Sequence, residues 1–195
     1  MKKIIKESIL NTIGIYNTMI NDNDFIKNIE IIAKKIVDTY KNNKKVLIAG
    51  NGGSAADAQH IAGELVNRFN FDRHALSAIA LTTDSSVLTC IANDINFNEV
   101  FARQIEANGC KGDVFIGIST SGNSKNIINA IQKCKEKGII SIGLTGISNS
   151  MMDKYCDYII KVPSTSTPRI QEGHLLIEHI LCALVEEKIY GKNVK

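Results

Sequence analysis

Two spacings of apolar residues divide the chain near residue 43. Before it, Ile5, Ile9, Ile13, Tyr16 and Ile20 recur every three or four positions, the spacing of one helix face. The run Asn21-Asp22-Asn23-Asp24 interrupts that pattern and offers an N-cap, after which Phe25, Ile29, Ile32, Ile36, Val37 and Tyr40 resume it. Residues 1–42 therefore read as a helical pair whose stripes pack on a sheet or on another subunit. From Lys45 onward short apolar runs end in glycine or small polar residues. Val46–Ala49, Leu76–Leu81, Val114–Ile118, Ile139–Leu144 and Tyr158–Val162 predict buried strands. Helical segments fit between and around them: Ser54–Phe69, Asp84–Asn93, Phe97–Ala107, Ser124–Lys137 and Ser150–Lys154. A last helix from Pro168 to Tyr190 carries Ile170, Leu175, Ile177, Ile180, Leu181 and Leu184. Such alternation predicts an α/β fold, a doubly wound parallel five-stranded sheet flanked by helices, with the N-terminal helical pair added. No repeat, low-complexity tract or linker interrupts residues 43–195, so residues 1–195 read as one domain.

Composition narrows the partners. A chain of 195 residues with 44% hydrophobic and 22% charged positions is an ordinary globular one. Its net charge of +3 comes from dispersed lysines rather than a basic run, which argues against nucleic acid. Cys90, Cys110, Cys134, Cys156 and Cys182 are far apart and form no CxxC pair, the pattern of free thiols in a reducing cytoplasm. Lys6 and Glu7 break the apolar start too early for a signal peptide, and no stretch is long enough for a membrane helix.

In parallel sheets ligands bind beyond the carboxyl ends of the strands, so the loops there carry the chemistry. The first is Gly50-Asn51-Gly52-Gly53-Ser54-Ala55-Ala56-Asp57, whose glycines let backbone N–H groups approach a ligand at a helix N-terminus. It matches the dinucleotide pattern GxGxxA, but the acid that should end the next strand is missing. Asp72 has the distance and lies in a polar stretch instead. The second loop, Ser119-Thr120-Ser121-Gly122-Asn123-Ser124, sets four hydroxyls and a glycine between a buried strand and a helix. That is a donor nest for a phosphate monoester, and more than the N-cap and serine turn of the plainer reading require. The chain has no GxxxxGK, which argues against a nucleoside triphosphate.

His60 and Glu64, four apart, share a helix face and could act as metal ligands or as an acid–base pair. A plain surface pair is the alternative, against which stand the apolar neighbours Ile61, Ala62 and Leu65. The last helix offers Gln171, Glu172, His174, Glu178 and His179. Glu172 and Glu178 read as a solvated face, and His174 as a packing or surface histidine. Gln171 and His179 point the same way but lie roughly 12 Å apart along a regular helix. Serving one site would take an irregular helix start or a second subunit.

With these motifs in view, the chain resembles the sugar isomerase (SIS) domain family, and within it the phosphoheptose isomerases. The resemblance rests on Gly50-Asn-Gly-Gly-Ser54, Asp57-Ala-Gln-His60 with Glu64, Ala92-Asn93-Asp94, Gly117–Ser124, Leu144-Thr-Gly146, and Arg169-Ile-Gln-Glu172 with His179. It implies that Asn51, Gly52, Gly53, Asn93 and Asp94 contact a sugar, and that Ser119, Thr120, Ser121 and Ser124 bind its phosphate. It implies Glu64 and His179 as the acid–base pair, assisted by Gln171, and His60, Glu64, Gln171 and His179 as positions for one Zn2+ per subunit. The family interconverts D-sedoheptulose 7-phosphate and D-glycero-D-manno-heptose 7-phosphate, which feeds bacterial lipopolysaccharide, capsule or surface glycan. Its members are tetramers with sites at subunit interfaces. Where an acidic residue often precedes the Arg-Ile-Gln-Glu segment, this chain has Thr167-Pro168. The rival expectation is a non-catalytic SIS adaptor resembling the replication-initiator-binding protein. Such adaptors lack the Glu64 and His179 equivalents.

Overall fold

The computed structural model describes residues 1–191. Its centre is a sheet in the order β2-β1-β3-β4-β5, built from β1 (Val46–Gly50), β2 (Ala78–Ala80), β3 (Val114–Ile118), β4 (Ile140–Gly146) and β5 (Tyr158–Val162). Every neighbouring pair is parallel. All residues of β1 and β3 are buried, which explains why they read as continuous apolar runs. Alternation along β1 feeds two cores, Val46 and Ile48 into one and Leu47 and Ala49 into the other.

The first core is covered by α2 (Asn23–Lys41), α3 (Gly53–Val66) and α8 (Thr167–Tyr190). The second is covered by α5 (Ala102–Asn108), α6 (Lys125–Lys137) and α7 (Met152–Tyr155). Residues such as Ile32, Leu47, Ile127 and Leu144 are fully buried, each contributing about 1.5–3 kcal/mol before the entropy of ordering. α4 (Ser85–Asp94) buries no residue completely and leans Leu88, Ile91 and Ala92 on the second core.

Two elements differ from the sequence expectation, and a third, the N-terminal helix, takes one of the two placements expected for it. β2 is only three residues long, because Leu76 gives its N–H to the Leu65 carbonyl at the end of α3 rather than to the sheet. The segment expected as one helix over Phe97–Ala107 is a 3-10 turn, Phe97–Glu99, followed by α5; the break at Val100 and Phe101 buries both side chains. Finally, α1 (Lys2–Asn21) buries Met19 alone. It packs chiefly on α2 and α8 and leaves Ile5, Ile9, Ile13 and Ile20 exposed, as a stripe kept for another subunit would be. The predicted cap between the helices is present, Asp22 accepting from the Phe25 N–H at 3.0 Å.

Candidate active site

β1 and β3 are neighbours, yet the helices that follow them, α3 and α6, cover opposite faces of the sheet. A crevice opens at such a reversal, and both sequence-predicted loops border it. At the end of β1, Gly52 has φ +56° and ψ −120°, a conformation that side-chain-bearing residues avoid. Gly53 opens α3 and lies against the Gln171 amide of α8, where a Cβ would collide. Asn51 is half-buried, and its amide exchanges two hydrogen bonds with the amide of buried Asn126, at 3.0 and 2.8 Å. Asn126 ties the glycine loop to α6. Sequence reasoning passed over it, although a polar residue beside Ile127 and Ile128 on a helix facing the core is a usable signal.

The loop after β3 folds its hydroxyls onto one another. Ser119 Oγ lies 2.9 Å from Ser124 Oγ and 3.5 Å from Ser121 Oγ. Ser124 occupies the N-cap position of α6 but makes no side-chain cap bond, so the plain capping role leaves its hydroxyl unexplained. Neighbouring segments brace the loop. Ser119 N–H donates to the Leu144 carbonyl, Gly146 N–H to the Thr120 carbonyl, and Met152 N–H to the Gly122 carbonyl. Met151 N–H donates to the Asn123 side chain at 2.9 Å.

The third group joins α3 to α8. One donor atom each from His60, Glu64 and His179 lies within 4.8 Å of the other two. His60 Nε2 stands 2.8 Å from His179 Nε2 and 3.6 Å from Glu64 Oε1. Two imidazole nitrogens and a carboxylate facing one point are a donor set that could hold a metal ion. Phe69 flanks His179, its ring centroid 5.6 Å from that of the imidazole.

The SIS domain profile matches residues 19–146. The chain is 56% identical over 190 residues to the phosphoheptose isomerase of Aneurinibacillus thermoaerophilus, covering 97% of this chain and 96% of that protein. The chain belongs to the phosphoheptose isomerases of the SIS domain family. Phosphoheptose isomerase 2 of Campylobacter jejuni is also 56% identical, over 99% of this chain and 96% of its own length. The solved phosphoheptose isomerase of Neisseria gonorrhoeae superimposes with a TM-score of 0.89 at 36% identity, over 95% of this chain and 98% of that one. The five-stranded parallel architecture expected from the pattern is thus that of the family.

The other sequence-predicted residues of this family member make contacts of their own. Gln171 contacts Gly53 at the opposite end of α3, seven residues before His60. Asn93 and Asp94 are exposed at the end of α4 and bond each other at 2.8 Å. Asp72 pairs with Arg68 outside the sheet, which removes it from any dinucleotide role at a strand end. The solvated face expected for α8 needs correction. Glu178 is 1% exposed with neither carboxyl oxygen hydrogen-bonded, because the residue turns into the first core against α3. Burial, then the charge of Asp57, pushes its pKa up to about 8. Glu172 is half-buried, accepting from the Thr12 hydroxyl at 2.6 Å and pairing with Arg169 at 2.7 Å, which pins α1 to α8. His174 is the packing histidine, fully buried, with a pKa that burial lowers to about 4. Leu175, expected in the apolar stripe, is 39% exposed.

Proposed function

We propose that the chain interconverts D-sedoheptulose 7-phosphate and D-glycero-D-manno-heptose 7-phosphate, the first step toward bacterial heptose-containing glycans. The observation that carries this reading is the meeting of Glu64 with two imidazoles, supplied by helices far apart in sequence. The phosphate of the substrate is held by the hydroxyls of Ser119, Thr120, Ser121 and Ser124 and by the free N–H groups at the start of α6. Asn51, Gly52 and Gly53 hold the sugar, with the Asn51 amide already fixed by Asn126. Gln171, against Gly53, assists there.

Aldose–ketose exchange moves one proton between C1 and C2 through an enediol and exchanges protons on the two oxygens. Glu64, with its side chain 25% exposed, is the base that takes and returns the carbon-bound proton. His179 serves the oxygens, since imidazole both gives and accepts protons near neutrality. His60, Glu64 and His179 would hold a zinc ion, with Gln171 a further family position, and that ion supplies Lewis acidity toward a carbonyl oxygen. A carboxylate committed to a metal is a poorer base, so proton transfer ranks first for Glu64. The reading includes a homotetramer with sites at subunit interfaces, supported by the exposed isoleucines of α1. It also places the protein in the cytoplasm, which suits its free cysteines.

The non-catalytic adaptor reading has no use for Glu64 and His179, which here stand together. A proton NMR time course with sedoheptulose 7-phosphate tests the assignment. The parent should isomerise it, and Glu64→Gln should be slower by about 10²-fold or more. Near-parental turnover in that variant refutes the role of Glu64.

A further inference from the structure

Behind the site lies an ion pair that the reaction does not use. Arg73 Nε donates to Glu186 Oε1 at 2.9 Å, and both side chains are 1% exposed. Neither charge is stranded. Arg73 also donates to the carbonyls of Glu64 at 2.8 Å, Leu65 at 2.7 Å and His74 at 3.0 Å. Glu186 accepts from the N–H groups of Phe69 at 2.8 Å and Asn70 at 2.6 Å. Burial alone would raise the Glu186 pKa, but these backbone bonds and Arg73 outweigh it and hold it below the ordinary value. We propose that the Arg73–Glu186 pair is a positioning device that sets Glu64 against His179.

The argument follows the bonds. Glu64 lies in the last turn of α3, where backbone carbonyls lack helical partners. The guanidinium caps that turn through the carbonyl of Glu64 itself and complements the negative end of the helix. Glu186 lies on α8 two turns beyond His179, so it reports the same helix that carries the imidazole. Its bond to the Phe69 N–H also places the Phe69 ring beside His179. One buried pair thereby fixes the backbone under Glu64 and the shelf beside His179. Because ion pairs this deep add little net stability over apolar packing, a geometric role also accounts for its presence.

This proposal rests on the reading of Glu64 and His179 as the reacting pair. Glu186→Gln keeps the shape and one acceptor while removing the charge. It should lower kcat for sedoheptulose 7-phosphate and zinc affinity by chelator competition about 10- to 100-fold, the range for residues that orient metal ligands. KM should stay within about twofold, since the phosphate loop makes no bond to the pair. Phe69→Leu leaves the ion pair intact and should move both quantities in the same direction by a smaller factor. Folding is checked by circular dichroism, and Phe69→Leu decides alone if Glu186→Gln does not fold. Folded variants with kcat and zinc affinity within about twofold of the parent overturn the proposal, whatever their thermal midpoints. If the parent leaves sedoheptulose 7-phosphate unchanged, the functional reading fails, and zinc affinity still decides the geometry.

Discussion

Replacing Glu178 by Gln should remove a pH dependence of folding that its buried carboxyl imposes. Burial and Asp57 raise its pKa from 4.5 to about 8. Between those values the unfolded chain has lost the proton and the folded chain keeps it, so stability falls as pH rises. His174 has the opposite sign. Its pKa falls from 6.5 to about 4, so in that range only the unfolded chain binds the proton and stability rises with pH. The two slopes oppose each other from about pH 4.5 to 6.5, which leaves Glu178 unopposed from 6.5 to 8. That window of about 1.5 pH units is worth about 2 kcal/mol at 1.36 kcal/mol per unit. The assay is urea unfolding followed by circular dichroism at pH 6.5 and 8, at one protein concentration and with chelator present to keep metal binding out. The parent should lose about 2 kcal/mol across the window and Glu178→Gln close to none of it. Equal losses in parent and variant would refute the reasoning, as would a parent whose stability is flat.

Ser124→Ala should raise KM for the sugar phosphate about tenfold, the worth of one hydrogen bond to a charged group, and weaken inhibition by inorganic phosphate in parallel. Asn126→Ala strips both amide bonds from Asn51 and should cost about 1–3 kcal/mol in thermal or urea unfolding, with a higher KM. Dialysis against a chelator should lower turnover, and added zinc should restore it at one ion per chain by metal analysis. Ile9→Lys with Ile13→Lys, both on the exposed face of α1, should reduce the mass measured by light scattering below that of a tetramer. An unchanged mass would move the assembly surface elsewhere.

Local chemistry made much of this protein legible. Short apolar runs that end in glycine or a small polar residue and alternate with helical segments point to buried parallel strands, so the sheet was readable before any contact was known. Helical spacing put His60 and Glu64 on one face, and chain order gathered the hydroxyls of Ser119 and Ser124 in one turn, because both depend on neighbours within a few residues. Pairings across the chain were not readable in this way. His179 meets His60 across 119 residues, and Arg73 meets Glu186 across 113. Periodicity assigned Glu178 to solvent because carboxylates usually face water, while the packing of α8 over α3 buries it. The same long-range packing left the stripe of α1 exposed. The chain's own order determined its elements and its loops; which side chains share a site was decided by how two helices cross the sheet, since contact energy depends on distance in space and not along the sequence.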